Sequence, residues 1–102
     1  DFRVVEQIPE FPGGMGAFIK WLSANLKYPE SAKNRKIQGK VVVSFIVNKD
    51  GSISDEKVMK GINPLLDREA LRVIKLMPKW KPGVENDKPC RTLFAIPIVF
   101  KI

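Results

Sequence analysis

The usual sets of side chains that enzymes use for proton transfer and metal binding are not found in this sequence. Histidine, the commonest general base and metal ligand, is absent from all 102 residues. The adjacent acids Asp55 and Glu56 fall in a predicted strand, where neighbouring side chains point to opposite faces, so they make a poor carboxylate pair. We therefore expect no catalytic residue, no metal site and no bound cofactor.

Two further features have ordinary structural interpretations. Gly13-Gly14-Met15-Gly16 opens a predicted helix, but neither a strand followed by a lysine nor a dinucleotide-binding pattern surrounds it. Cys90 is the only cysteine, so it forms no internal disulfide. Because no histidine is present to activate it, we expect a reduced, largely buried thiol with no catalytic role. By elimination, the sequence indicates a binding or mechanical module.

Composition and charge leave several partners open. The chain is 44% hydrophobic and 28% charged, as expected for one globular domain, and it begins at Asp1, which suggests a domain from a longer protein. No apolar run approaches the roughly 18–20 residues that a membrane helix needs. The net charge of +7 permits nucleic acid, acidic lipid or an acidic protein. In the basic run 27–40, however, Tyr28 is thin aromatic support for nucleic-acid binding, so we expect none.

The strongest local pattern is a strand from Gly39 to Asn48, around which the other elements are arranged. Its apolar face holds Val41, Val43, Phe45 and Val47. The opposite face is only half polar, which suits the middle of a sheet. The run Asn48-Lys49-Asp50-Gly51 then predicts a short hairpin turn, since glycine accepts a positive φ.

Two more strands flank this one. Residues 52–60 predict a polar second strand that either has a bulge or is short and faces solvent, because Ile53 and Val58 cannot share a face under strict alternation. The last strand, 91–102, places Phe94, Ile96, Ile98, Phe100 and Ile102 on one apolar face. Pro97 lacks the N–H that an internal strand needs, so this strand is predicted to lie at an edge. Residues 78–89 are predicted to form a loop.

The remaining segments predict two main helices. The first begins near Pro12, with an apolar stripe of Met15, Phe18, Ile19, Leu22 and Leu26, and a short turn follows at 29–36. The second has a stripe of Leu66, Ala70, Val73, Ile74 and Met77 opposite Arg68, Glu69, Arg72 and Lys75. It is capped either by Asn63, with Pro64 as the first helical residue, or by Asp67 in a later start.

Together these patterns predict an α+β fold. The three-stranded antiparallel sheet has the order second, first, last, with the two main helices packed on one face. We expect 1–102 to form a single domain, in which 1–11 are an extended arm and 12–102 the globular body. That arm is an alternative cover for the predicted edge, because its Phe2, Val4 and Val5 could supply a strand.

The order and spacing of several short motifs resemble the C-terminal domain of TonB-type energy transducers. The matching residues are Tyr28-Pro29 with Ala32, Gly39 with the strand Val41 to Val47, Asp50-Gly51, Leu66-Asp67, Ala70-Leu71, Met77-Pro78-Lys79-Trp80-Lys81-Pro82-Gly83, and Pro97 with Phe100. The helix that precedes Tyr28-Pro29 resembles one variety of this domain and differs from the enteric type, whose preceding segment is extended.

The resemblance implies a non-enzymatic periplasmic domain of a Gram-negative cell, anchored to the inner membrane by a segment outside this chain. That segment would contact the inner-membrane proton-motor proteins. The domain itself would bind the TonB box peptide and the plug of an outer-membrane transporter, with the peptide added beside the last strand. The expected partner-binding residues are Asn25, Lys27, Tyr28, Arg91, Thr92, Leu93, Phe94, Ala95, Ile96, Pro97, Ile98 and Val99.

Other functions remain open at this point. The same fold could serve as the sensor or partner-binding tail of another membrane protein, such as an antirepressor-type sensor peptidase. A small basic nucleic-acid-binding domain is a more remote alternative. A homodimer formed through the exposed sheet edges is a further option.

Overall fold

The computed structural model describes residues 7–102. In chain order the elements are α1 (Gly14–Asn25), α2 (Glu30–Asn34), β1 (Gly39–Val47), β2 (Ile53–Lys60), α3 (Pro64–Lys75), β3 (Gly83–Glu85), β4 (Lys88–Cys90) and β5 (Thr92–Phe100). The main sheet is antiparallel with the order β2-β1-β5, and β3 and β4 form a separate pair. The predicted α+β fold and strand order are confirmed. No helix in this part of the chain is long and apolar enough to cross a membrane.

β1 is the centre of the molecule. Its predicted inner face is fully buried: Val41, Val43, Phe45 and Val47 are each 0% exposed. β1 pairs with β5 without interruption, from Gly39 opposite Phe100 to Val47 opposite Thr92. Its pairing with β2 shifts register twice, and Asp55 adopts a φ of 54° there, which confirms the predicted irregularity in the second strand.

The alternation predicted for the last strand is confirmed within β5. Ile96, Ile98 and Phe100 are buried, whereas Leu93 and Val99 on the opposite face are 58% and 51% exposed. The prediction was wrong for Ile102, which is 55% exposed. β5 ends at Phe100, so nothing in the ladder holds the following residues against the core.

α3 begins at the first of the two predicted positions, with Asn63 as its cap. The Asn63 side chain accepts a hydrogen bond of 2.9 Å from the Leu65 N–H, and Pro64 is the first helical residue. Leu66, Ala70, Val73 and Ile74 are all 0% exposed, which confirms most of the stripe. Met77 lies beyond the helix end and is only partly buried.

α1 is rotated relative to the predicted stripe. Met15 and Ile19 are 56% and 57% exposed, so the prediction was wrong for both. The buried face is centred on Phe18 and Trp21, whose rings lie 5.4 Å and 5.9 Å from that of the buried Phe11. Phe11 precedes the helix, and its packing against these rings selects the face that α1 turns inward.

The segment predicted as a loop contains a β-hairpin. β3 pairs with β4 from Gly83 opposite Cys90 to Glu85 opposite Lys88, so the prediction of a loop over 78–89 was wrong from Gly83 onward. Asn86 and Asp87 form the turn with φ of 51° and 59°. Asparagine and aspartate tolerate this left-handed region better than other non-glycine residues. Strands of three residues are too short to show alternation, but the Asn-Asp pair was a usable turn signal.

The described part of the N-terminal arm runs beside this hairpin. The Gln7 N–H donates to the Val84 carbonyl at 3.2 Å, and the Glu10 N–H donates to the Lys81 carbonyl at 2.9 Å. Residues 7–10 therefore follow Lys81 and Val84 rather than β5. The alternative in which Phe2, Val4 and Val5 supply a covering strand concerns residues outside the described part of the chain.

Candidate functional site

The outer edge of β5 presents backbone groups that β1 does not use. In an antiparallel strand, successive residues direct their N–H and C=O groups to alternate sides. Pro97 lies opposite Val42 and has no N–H to donate. The β1–β5 ladder therefore keeps all of its hydrogen bonds only when the backbone groups of residue 97 point away from β1. The same parity directs the backbone groups of Leu93, Ala95 and Val99 outward. Among the described strands of the main sheet, none lies on that side of β5.

This edge is held rigidly by the core behind it. Phe94 packs between two rings, with its centroid 5.6 Å from that of Trp80 and 6.1 Å from that of Phe45. Ile96 and Ile98 are buried beside it. A well-packed strand edge with which no described strand pairs is a template on which another extended chain can add.

Tyr28 reaches the far end of the same strand. Its ring meets the Phe100 ring edge-on, with centroids 5.6 Å apart at 89°, and its hydroxyl donates to the Ile37 carbonyl. We call residues 26–29, which join α1 to α2, the connector. The structure thus brings the connector to the Phe100 end of β5. The Tyr28 ring is only partly exposed, so less of it is available for stacking on a nucleic-acid base.

Glu69 fixes the start of the connector, a role that the sequence did not reveal. It was predicted on the solvent face of α3 but is only 8% exposed, so that prediction was wrong. Its carboxylate accepts from the Lys27 N–H at 2.6 Å and from Arg72 Nε and Nη2 at 2.6 and 2.7 Å. Arg72 Nη2 also donates to the Asn25 carbonyl at 3.0 Å. In sequence, a Glu and an Arg three positions apart on a helix look like an ordinary surface ion pair. The role of Glu69 becomes visible only when its contact with the connector is seen in the structure.

The same contacts set the charge state of Glu69. Burial disfavours its ionised form and by itself would raise the pKa, but the hydrogen bonds from Arg72 and from the Lys27 N–H outweigh that effect. The pKa of Glu69 therefore lies below its ordinary value of 4.5. Its hydrogen bond to Arg72 in turn raises the pKa of the guanidinium.

A Glu69→Gln variant is expected to be less stable at neutral pH by about 1.5–3 kcal/mol, the range for hydrogen bonds to a charged group. Since the folded-state pKa is depressed, this contribution is complete above pH 4.5 and is lost as the pH falls through the folded-state value. Urea unfolding of both proteins should therefore show a stability gap that narrows below that pH. Glu30→Gln, a change at an exposed carboxylate, is the control and should show little gap at any pH. A gap for Glu69→Gln that stays constant into acid would contradict this assignment.

Arg91 and Cys90 directly precede β5, and neither side chain has the surroundings that the sequence predicted. Arg91 Nε donates to Asn48 Oδ1 at 3.1 Å, and Arg91 Nη2 lies 3.9 Å from Asp55 Oδ2. Its charge is thus directed toward β1 and β2 and away from the outer edge. Cys90 is half-buried at the end of β4, with Sγ 3.6 Å from Thr92 Oγ1, so the prediction of a largely buried thiol was wrong.

Of the predicted partner-binding residues, the structure gathers two groups. Leu93, Ala95, Pro97 and Val99 lie on the outer edge, whereas the alternate residues Phe94, Ile96 and Ile98 pack toward the core. Asn25, Lys27 and Tyr28 form or adjoin the connector at the far end of the strand. Lys27 is an exposed basic residue of the connector, whereas the Arg91 guanidinium is directed toward Asn48 and Asp55. Within residues 7–102, no group of three or more His, Cys, Asp or Glu side chains is placed to hold a metal ion.

Comparison with known proteins gives consistent matches. The family model described as Gram-negative bacterial TonB protein C-terminal matches residues 24–102. Protein TonB of Helicobacter pylori is 37% identical over 83 residues, which cover 79% of this chain and 28% of that protein. Protein TonB of Haemophilus influenzae is 41% identical over 61 residues, which cover 59% of this chain and 23% of that protein. The matched region thus spans about a quarter of the length of these relatives.

Solved structures show the same likeness in three dimensions. An NMR solution structure of the Helicobacter pylori TonB C-terminal domain has a TM-score of 0.65 and 33% identity, covering 85% of this chain and 91% of the other. The Pseudomonas aeruginosa TonB C-terminal domain has a TM-score of 0.61 and 30% identity, covering 74% of this chain and 77% of the other.

Proposed function

The chain belongs to the family of Gram-negative TonB C-terminal domains, and we propose that it binds the TonB box peptide of an outer-membrane transporter by strand addition to β5. This family consists of energy transducers and not of enzymes. The observation that carries the proposal is the outward-facing backbone of Leu93, Ala95 and Val99, which follows from the position of Pro97 opposite Val42. A peptide strand can pair with these groups without disturbing the β1 ladder.

The proposal includes a cellular setting. The domain lies in the periplasm, as part of a protein anchored in the inner membrane through a segment outside this chain. That segment contacts the proton-motor proteins, and the domain contacts the transporter's plug as well as its peptide. Force from the motor then passes to the transporter through the added strand.

Strand addition suits this task for two physical reasons. Main-chain hydrogen bonds provide affinity for many peptide sequences, while alternate side-chain positions adjust specificity. A strand that is pulled along its own direction loads several of these bonds together. Because one short strand buries less than a standard interface, we expect weak binding, with a dissociation constant on the order of micromolar.

NMR shift mapping with a synthetic TonB box peptide is the direct test. We expect peptide-induced shifts centred on residues 91–99, with a second group at 25–28. Leu93→Pro removes an outward N–H and should weaken binding roughly tenfold, about the value of one hydrogen bond. Leu93→Ala is the matched control, because it removes the same side chain but keeps the N–H. Circular dichroism should show that both variants keep the fold.

Two outcomes of this experiment would contradict the proposal. One is a set of shifts confined to the loop around Trp80 or to the basic run 33–40. The other is equal binding by folded Leu93→Pro and by Leu93→Ala, which would mean that the outward N–H of residue 93 is not used.

The alternatives gain no support from the described residues. A sensor or partner-binding tail shares this fold, and no contact within 7–102 favours it over the transducer. Nucleic-acid binding lacks its aromatic platform, because Tyr28 is packed on Phe100. A salt titration against random DNA tests this last alternative, since phosphate contacts give a steep negative slope.

A further inference from the structure

We propose that Glu69 and Arg72 of α3 are positioning residues for peptide binding: they hold the segment from Asn25 to Lys27 ready for the end of the added strand. The inference rests on the proposed function and concerns the part of the site next to Phe100. It assigns to α3 a role beyond packing on the sheet.

Glu69 and Arg72 bind backbone groups that have no hydrogen-bond partner within a helix or strand. The Asn25 carbonyl is at the C-terminus of α1, where the last carbonyls have no partner within the helix. Arg72 Nη2 donates to it at 3.0 Å, which also places a cation at the negative end of the helix dipole. The Lys27 N–H lies just past the helix end, 42 residues from Glu69 in sequence, and donates to its carboxylate at 2.6 Å.

Burying the Glu69 carboxylate costs free energy unless these hydrogen bonds offset it. A buried carboxylate is unfavourable without several strong hydrogen-bond donors. α3 is already anchored by Leu66, Ala70, Val73 and Ile74, all fully buried. An apolar residue at 69 could pack there but could not bind the Lys27 N–H. The ionised pair therefore orients the connector in a way that packing alone does not.

The consequence for binding is confined to one end of β5. The connector meets the sheet through Tyr28 and Phe100, whose ring centroids are 5.6 Å apart. Leu93 is six residues before Val99, which is roughly 20 Å along a strand. If the connector loosens, contacts of the peptide near Val99 should weaken, while those near Leu93 should persist. Ordering a loose segment on binding lowers affinity.

The experiment compares Glu69→Gln with Ile74→Val in the otherwise unchanged domain, using the synthetic TonB box peptide as the probe. Ile74 is buried on the same helix, and its substitution destabilises the core without touching the connector. For Glu69→Gln we expect three- to tenfold weaker peptide binding and faster amide exchange at Lys27. Peptide-induced shifts at 25–28 should shrink, whereas those at 93–95 should remain. Ile74→Val should keep the wild-type affinity and shift pattern.

The outcomes separate the two proposals. If the wild-type domain shows no peptide shifts, the proposed function is overturned and this inference with it. If the wild type binds but Glu69→Gln binds equally well, or Ile74→Val loses as much affinity, only the positioning role is overturned. Should Glu69→Gln fail to fold, Arg72→Lys takes its place. It keeps the charge but loses the guanidinium fork that reaches both Glu69 and Asn25, so the same changes are expected.

Discussion

Phe45→Ala is expected to destabilise the domain by about 3–5 kcal/mol, the usual cost of removing a buried phenylalanine. Phe45 is 0% exposed and lies in β1, two residues before the end of the strand. Its ring centroid is 5.3 Å from that of Trp80 and 6.1 Å from that of Phe94, so the substitution leaves a cavity between two rigid rings. Total stabilities of domains this size are roughly 5–15 kcal/mol, so a large share would be lost. Urea unfolding monitored by circular dichroism measures it.

The control for this prediction is Leu93→Ala. Leu93 is 58% exposed, and its truncation should change the free energy of unfolding by no more than about 0.5 kcal/mol. A double-mutant cycle with Trp80→Ala would then isolate the contact between the two rings. A loss below about 1 kcal/mol for Phe45→Ala would be well under the usual range for such a truncation. It would mean that the aromatic cluster collapses to fill the cavity. That result would contradict the description of the β5 edge as rigidly held by these rings.

Gly51→Ala should be nearly as damaging, although it adds a single methyl group. Gly51 has a φ of +86°, and an added Cβ would lie 2.1 Å from the Trp80 carbonyl oxygen. The Gly51 carbonyl also accepts from the Trp80 N–H at 2.8 Å, so the two segments cannot separate without losing that bond. The backbone cost and the clash together predict a loss of about 2–5 kcal/mol. Thermal unfolding of the purified variant measures it.

Gly16→Ala is the matched comparison, because the chemical change is the same and the expected sign is opposite. Gly16 lies within α1, and a Cβ there would meet nothing within 4 Å. Alanine should stabilise the helix by about 0.5–1 kcal/mol. If Gly51→Ala were as stable as the wild type, the turn after β1 would have to shift away from Trp80. In that case the close approach between the two segments would not be essential to the fold.

The main sheet was predictable from sequence because its patterns are local. Strict alternation in 41–47 and 94–100 determines which side chains face the core, and both faces were predicted correctly within the strands. Pro97 marks the edge for a covalent reason, since a proline nitrogen has no hydrogen to donate in any fold. The start of α3 at Asn63 and Pro64 also depends only on neighbouring residues.

Features that depend on distant contacts were not predictable in this way. In α1, Trp21 is apolar as well as the predicted stripe that contains Met15 and Ile19, so the sequence offers more than one face to the core. Packing of Phe11 and Trp80 against Phe18 selects one of them. The β3–β4 hairpin was missed because strands of three residues carry too little pattern to distinguish them from a loop.

Sequence alone therefore determined the three strands of the main sheet, the inner faces of β1 and β5 and the edge marked by Pro97, because periodicity and the missing N–H of proline are properties of neighbouring residues. Only the tertiary structure decided how the candidate site is completed. Glu69 is 42 residues from Lys27 in the chain, and its carboxylate becomes a backbone ligand only when α3 packs beside the end of α1. Likewise, Tyr28 joins the connector to β5 only because Phe100 lies opposite Gly39 at the end of the ladder. A residue's type limits the bonds that it can form, whereas the packing of distant segments determines which of those bonds exist.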